Sequence, residues 1–214
     1  MRDARNIHEV SQLGIDWIGL DFIPNSERYV SQIASCAGII PDYSSLSDLS
    51  SDKLSQQKEG PVFCGVFADD MPQNIVTRVV NFDLDVVQLN GNESSVMIDN
   101  LRRTLDPDIH AGIKIMKRLV ITKREDIENY KEYAEGVDYF LFDIQDNLKD
   151  WSILEAYDGK VPFLVSGNIG AEDIEKIKGL SHPLFYGISV NEKFESAPAV
   201  KDVALLKDFL EKIK

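Results

Sequence analysis

Seven short apolar runs, each separated from the next by a longer amphipathic segment, set the tightest limit on what this chain can fold into. They are Ile15 to Ile23, Pro61 to Ala68, Val86 to Leu89, Ala111 to Met116, Tyr139 to Ile144, Pro162 to Ser166 and Phe185 to Val190. Strands of a parallel sheet are covered on both faces, so they read as nearly continuous apolar stretches rather than alternating ones. The intervening segments carry helical signals. Residues 3 to 13 space Ile7, Val10 and Leu13 at three-residue intervals, with Asp3 available as a cap. Pro72 opens the next helix, where its missing N–H is harmless. Residues 93 to 104, 123 to 134 and 149 to 157 follow, and residues 171 to 178 stop at Gly179. The last helix, about 199 to 213, lines up Val200, Val203, Leu206, Leu210 and Ile213 on one stripe.

Strand–helix alternation implies an α/β fold with a parallel sheet. Seven strands with a helix at either end suggest a (β/α)8 TIM barrel whose opening strand is missing from this numbering, since only Met1 and Arg2 precede the first helix. An open seven-stranded barrel leaves two unpaired edges. A doubly wound open sheet is the alternative, but no glycine fingerprint follows the first strand. Residues 42 to 58 are rich in Ser and Asp and read as a solvated loop. With no internal repeat and no linker, residues 1 to 214 read as a single domain.

Charge narrows the choice of partners. Asp and Glu number 36 against 23 Lys and Arg, a formal net charge of −13. Phosphate-rich surfaces repel such a chain, which argues against nucleic acid and anionic membranes. A small phosphorylated ligand stays open, because one loop can hold phosphate with backbone N–H groups. Cys36 and Cys64 cannot build a disulfide framework, and His8, His110 and His182 are scattered without metal-ligand spacing. No apolar run approaches the ~18 residues a membrane helix needs. The first residues lack the apolar stretch of a signal peptide, so a cytoplasmic location is the default.

In a barrel of this kind, chemistry sits at the C-terminal ends of the strands and in the loops beyond them. Those positions hold Phe22 to Val30, Phe67 to Asp69, Val87 to Gly91, Phe142 to Gln145, Ser166 to Gly170 and Gly187 to Glu192, while Lys114 lies on the fourth run. Asp143 ends a fully apolar run, where desolvation suits a carboxyl to general acid work. It reads equally well as a helix cap or as the partner of a cation such as Lys114. Ser166-Gly167-Asn168-Ile169-Gly170 joins strand to helix through two glycines, a turn able to aim N–H groups at a phosphate. Arg28 is the one obvious cation near the first loop, and a surface pair with the adjacent Glu27 is the plainer reading. Cys64 falls mid-strand and reads as a small buried apolar residue.

Taken together, these strings resemble the phosphoribosylanthranilate isomerase family of tryptophan biosynthesis, from end to end. Met1-Arg2-Asp3-Ala4-Arg5-Asn6-Ile7 is similar to the family's segment just after its first strand. Phe22-Ile23-Pro24-Asn25-Ser26-Glu27-Arg28-Tyr29-Val30 resembles its Phe-x-Pro-x-Ser-x-Arg-x-Val loop, and Gly65-Val66-Phe67 its Gly-Val-Phe strand. Asp85-Val86-Val87-Gln88-Leu89-Asn90-Gly91 resembles Asp-x-Val-Gln-Leu-His-Gly. Phe142-Asp143, Asp150-Trp151 and Phe194-Glu195-Ser196-Ala197-Pro198 fall on its Leu-Leu-Asp, Phe-Asp-Trp and Glu-x-x-Pro-Gly motifs.

The resemblance implies an Amadori rearrangement of an aminoaldose to an aminoketose, with no metal or cofactor and a small phosphorylated substrate, by a monomer or homodimer. It puts the general acid on Asp143 and substrate contacts on Arg28, Gln88, Asn90 and Ser189. Phosphate contacts fall on Ser166, Gly167, Asn168 and Asn191. Several positions depart from the pattern. The family's base is a cysteine in a Lys-x-Cys-Gly motif that precedes the residue matching Met1, and the loop after Asp143 lacks a Gly-Gly-Thr-Gly stretch. Asn90 replaces His, Asn168 replaces Gly, Ser189 stands where Asp is usual, and Glu192 lies near the expected phosphate. These departures carry a second expectation, a paralogue without turnover that binds a sugar phosphate or a protein partner. Pentose-phosphate epimerases and indole-glycerol-phosphate synthases are other phosphate-binding barrels, but neither catalytic pattern is visible here.

Overall fold

The computed structural model describes residues 1–31, 33–35, 38–40, 60–145, 148 and 151–213. The loop expected at 42 to 58, and Cys36, lie outside the described residues. Seven parallel strands form one sheet: β1 (Trp17–Asp21), β4 (Val62–Phe67), β5 (Val86–Leu89), β6 (Lys114–Ile121), β7 (Tyr139–Ile144), β8 (Phe163–Gly167) and β9 (Phe185–Ile188), neighbours in that order. Each of the seven apolar runs contributes one of them. Two short antiparallel pairs stand apart, β2 (Ile33–Ser35) with β3 (Gly38–Ile40), and β10 (Glu195–Ala197) with β11 (Val200–Lys201).

The fourth apolar run needs correction. Its strand begins at Lys114 and continues to Ile121, five residues beyond the expected end at Met116. Lys114 therefore lies at the start of β6, away from the working end of the sheet. It pairs there with Asp138, not with Asp143.

Helices cover the outer face. Asp3 caps α1 (Ala4–Ser11) by accepting from the Asn6 N–H at 2.7 Å. Pro72 is the first residue of α2 (Pro72–Phe82), and Ser94 caps α3 (Ser95–Leu105). α4 (Ile174–Gly179) and α5 (Val203–Ile213) complete the set. The helices expected after β6 and β7 are instead 3₁₀ segments, Arg124–Glu132 and Trp151–Ala156. In the first of these, Asp126 accepts from the backbone N–H groups of Thr122 and Lys123, which fixes where the turn starts.

Two cores result. The larger lies between sheet and helices and includes Phe22, Phe67, Phe140, Phe163 and Phe209. The smaller fills the concave side with Cys64, Val86, Met116, Leu141 and Leu164, one side chain from each of five neighbouring strands. A layer of this kind is how a closed or nearly closed barrel packs its interior. The sheet curls far enough to bring its ends together: Trp17 of β1 meets Tyr139 of β7 at 5.0 Å and Tyr186 of β9 at 5.7 Å, centroid to centroid. Among the described residues no ladder joins β1 to β9. A groove of about 470 Å³ runs between them, walled by both strands and by α5.

Candidate active site

Above the apolar interior layer, the next inward positions turn polar. Two residues on from Val86, Met116, Leu141 and Leu164 come Gln88, Arg118, Asp143 and Ser166. The alternation of side chains along a strand puts these four on the same inner face, one layer nearer the C-terminal ends. A cavity of about 420 Å³ opens there. It is lined by Asp143, Arg28, Gln88, Asn90, Ser189, Ser166, Gly167, Asn168 and Asn191, which is every site residue expected from the sequence. Arg118, Gln145, Glu192 and Lys193 share its wall.

Asp143 is buried and receives four hydrogen bonds. Ser166 Oγ donates to Oδ1 at 3.1 Å, Gln145 Nε2 donates to Oδ2 at 3.1 Å, and Arg118 donates to Oδ2 through Nε at 2.9 Å and through Nη2. The cation at the carboxyl is therefore Arg118, which sequence reasoning missed. Lys117-Arg118 interrupts an otherwise apolar stretch, and that interruption was the available signal.

Arg28 does not pair with Glu27. Its Nε and Nη2 grip Glu195 at 2.8 to 3.2 Å, and Nη2 lies 3.4 Å from Glu192. The Glu195 hydrogen bond pushes the Arg28 guanidinium up, against the opposing effect of burial. Burial raises the Glu195 carboxyl, but the hydrogen bond from Arg28 and the charge of Lys201 outweigh it and hold the group below the usual carboxylate range. Burial in turn lowers the Lys201 ammonium. Lys201 Nζ donates to the Val190 and Asn191 carbonyls at 3.2 and 2.9 Å, so this network fixes the loop after β9.

On the opposite wall, Gln88 Nε2 donates to Asn90 Oδ1 at 2.8 Å. The Asn90–Gly91 turn is held from behind by a buried pair: Lys117 Nζ donates to the Gly91 carbonyl at 2.6 Å and to Glu93 Oε2 at 2.8 Å. Gly167 has φ +138°, and a Cβ there would lie 2.3 Å from the Ile144 carbonyl oxygen, so no other residue fits the turn after β8. The Gly170 N–H is already spent on Asp173 Oδ2 at 3.0 Å. The carboxylate of Glu192 is offset by Arg28, while Lys193, paired with Glu172, adds a positive group to the wall.

Cys64 sits below this ring in the apolar layer, with burial pushing its thiol up to about 12. A thiol so placed is not ionised near neutral pH. Among the described residues no three His, Cys, Asp or Glu side chains converge as a metal ion requires, and no helix is long and apolar enough to cross a membrane.

The family model for N-(5'-phosphoribosyl)anthranilate (PRA) isomerase matches residues 17–212. The chain belongs to the PRA isomerase family. Curated relatives named N-(5'-phosphoribosyl)anthranilate isomerase agree along its whole length. That of Parabacteroides distasonis is 36% identical over 220 residues, covering 100% of this chain and 90% of the relative. That of Phocaeicola vulgatus is 32% identical, covering 100% and 95%. Among solved structures, a phosphoribosyl anthranilate isomerase in complex with reduced 1-(o-carboxyphenylamino)-1-deoxyribulose 5-phosphate superposes with a TM-score of 0.76 at 21% identity, covering 100% of this chain and 94% of that one. Monomers generated from the dimeric Thermotoga maritima isomerase give 0.75 at 21% identity, with the same coverage. The PRA isomerase fold of those structures and the curled seven-stranded sheet establish a (β/α)8-type barrel.

Proposed function

We propose that this chain is a PRA isomerase that opens and rearranges its substrate with Asp143 as the general acid. The observation that carries the reading is the convergence of Asp143, the Gly167 turn and the loop after β9 on one cavity. The carboxyl of Asp143 gives its proton to the furanose ring oxygen as the C1–O bond breaks and the nitrogen lone pair forms the iminium. A base then takes the C2 proton, and the enol tautomerises to the ketone. The resemblance puts that base on a cysteine ahead of the residue matching Met1, and Cys64 is too deep and too weakly acidic to replace it.

Phosphate is held by Ser166, by the amides of the Gly167-Asn168 turn and by Asn191, while Arg28, Gln88, Asn90 and Ser189 contact the sugar and its aryl substituent. Gln145 and Ser166 orient the acid. The substrate is a small phosphorylated compound, and the enzyme works without a cofactor, in the cytoplasm, as one domain over residues 1 to 214 that is monomeric or homodimeric. The Parabacteroides distasonis and Phocaeicola vulgatus relatives both carry the isomerase name, and neither points to a paralogue without turnover.

The test is rescue of a tryptophan auxotroph that lacks this enzyme, together with conversion of N-(5'-phosphoribosyl)anthranilate by the purified chain. Asp143→Asn is expected to lower kcat by roughly 10²- to 10⁴-fold, the span of one general acid. A well-folded chain, extended upstream to include that cysteine, that neither rescues growth nor turns the substrate over refutes the reading.

A further inference from the structure

The last inward position of β1 holds a carboxylate that the proposed chemistry leaves unused. In register, Gly19 pairs with Cys64 and Asp21 with Val66. Cys64 belongs to the apolar interior layer. Alternation along the strand therefore turns Asp21 to the same concave side, one layer nearer the C-terminal ends. Asp21 and Arg28 both line the groove beside β1. Another carboxylate at the mouth of a chain with net charge −13 opposes an anionic ligand, so its place there calls for a different task.

The hydrogen bonds of Asp21 define that task. Its Oδ1 accepts from the Ile23 N–H at 2.9 Å, and its Oδ2 accepts from Ser26 Oγ at 2.6 Å. Ser26 Oγ in turn accepts from the Arg28 N–H at 3.1 Å. The Asp21 carbonyl accepts from the Val30 N–H at 2.7 Å, which closes the loop on the residue that opened it. Tyr29 is fixed at its tip as well, because its hydroxyl accepts from Arg78 Nη2 of α2 at 2.9 Å. One side chain thus reaches the main chain of Arg28 through a single hydroxyl, while Glu195 grips the guanidinium at the other end.

We propose that Asp21 is a positioning residue for Arg28. It sets the Phe22 to Val30 loop before the ligand arrives, so that the guanidinium stands ready for the substrate's sugar and aryl substituent. This rests on the isomerase reading, in which Arg28 contacts substrate, and deepens it by naming what places that contact. A carboxylate suits the task because each oxygen accepts independently, and a loop already ordered loses less conformational entropy on binding. Asparagine at this position keeps one acceptor for Ile23 but turns an NH₂ toward Ser26, which deprives the hydroxyl proton of its acceptor.

Calorimetry tests this without turnover, using reduced 1-(o-carboxyphenylamino)-1-deoxyribulose 5-phosphate and inorganic phosphate as probes. The proteins are the wild-type chain, Asp21→Asn, Ser26→Ala, Arg28→Met and the two doubles that join Arg28→Met to the others. Asp21→Asn and Ser26→Ala should each weaken the reduced compound on the order of 10-fold, the loss of one charge-assisted hydrogen bond. In the Arg28→Met background either change should add less than about twofold, because the group being positioned is gone. Inorganic phosphate, held at the turn after β8, should bind both single variants within about twofold of wild type, since they lie outside its contacts. A merely structural role would weaken both probes and would repeat its loss in the Arg28→Met background. If Asp21→Asn does not fold, Ser26→Ala, which removes only the relay hydroxyl, carries the test.

Unchanged affinity of Asp21→Asn and Ser26→Ala for the reduced compound overturns the proposal, as does an equal loss for inorganic phosphate or a full loss repeated in the doubles. Failure of the wild-type chain to bind the reduced compound is a separate result, which overturns the isomerase reading and this inference with it.

Discussion

The Lys117–Glu93 pair offers the sharpest test of how the site is supported, because both side chains are almost completely out of water, at 3% and 2% exposure. Glu93 Oε1 accepts from the backbone N–H groups of Asp69 at 2.9 Å and Gly91 at 3.2 Å, while Oε2 receives Lys117. The pair therefore ties the end of β4, the turn after β5 and the middle of β6 together, directly behind Asn90. Glu93→Gln keeps an oxygen for the two amides but turns an NH₂ toward the ammonium. A buried charge left without its partner typically costs about 3–5 kcal/mol. Lys117 retains the Gly91 carbonyl and the Tyr133 ring, whose centroid is 5.5 Å from Nζ, so the low end applies. A loss of about 3 kcal/mol in a chain of this size corresponds to a fall in Tm of ~6–12 °C.

The assay is urea denaturation of the wild type, Glu93→Gln, Lys117→Met and the double variant. In the double variant no charge is stranded, and a methionine fills the lysine's channel. It should be more stable than Glu93→Gln alone, with a coupling energy of about 2 kcal/mol between the two positions. Because the network holds the Asn90–Gly91 turn, Glu93→Gln should also raise KM more than it lowers kcat. A loss below about 1 kcal/mol in Glu93→Gln, or strict additivity in the cycle, would falsify the view that this pair is one cooperative brace.

The remaining predictions concern other parts of the barrel. Gly167→Ala meets the Ile144 carbonyl at 2.3 Å and a φ of +138°, so it should lose at least ~2 kcal/mol in a urea melt and weaken phosphate-bearing ligands together with stability. Glu195 is held below its ordinary carboxylate range, so its contribution to stability is present above the unfolded value near 4.5 and disappears as pH falls through the depressed folded value. The stability gap between wild type and Glu195→Gln should be about 3 kcal/mol at pH 7, where Arg28 and Lys201 lose their carboxylate, and should shrink toward zero in strong acid; a gap that does not change with pH contradicts this. Cys64, with its thiol at about 12, should resist alkylation at pH 8 in the folded chain and react after denaturation, as mapped by peptide mass. Cys64→Ala should retain activity within about twofold, since the thiol is buried in the apolar layer below the polar ring.

All seven strands of the sheet were legible because parallel strands covered on both faces leave an apolar signature that needs no knowledge of partners. So were the Asp3 cap and the Pro72 start, which are local devices. What the sequence hid was long-range pairing. The strand at Lys114–Ile121 looked finished at Met116 because two cations follow, and an isolated Lys-Arg step reads as a strand end. Each is tolerated there by a carboxylate about two dozen positions away, Glu93 for Lys117 and Asp143 for Arg118. The two face opposite sides of the sheet, as neighbours on a strand must. The same blindness made Arg28 look like a partner for Glu27, when its carboxylates are Glu195 and Glu192 at the far end of the chain. The 3₁₀ segments were misread as α-helices for a different reason: their apolar spacing is compatible with either, and hydrogen-bond register is not written in spacing.

The net charge of −13 acquires a local meaning from these pairs. An acidic chain that must hold an anionic substrate has few free cations to offer, and here each cation at the mouth is already matched by a carboxylate. Glu195 and Glu93 are buried and bonded to several partners, so the pairs they form are fixed parts of the scaffold. Under the proposed function phosphate recognition falls to backbone amides, which carry no counter-ion to displace, and the turn after β8 that would supply them holds a glycine with no room for a Cβ. A second anion on the ligand has to compete with a protein carboxylate for its cation. Where that carboxylate is structural, the exchange costs stability.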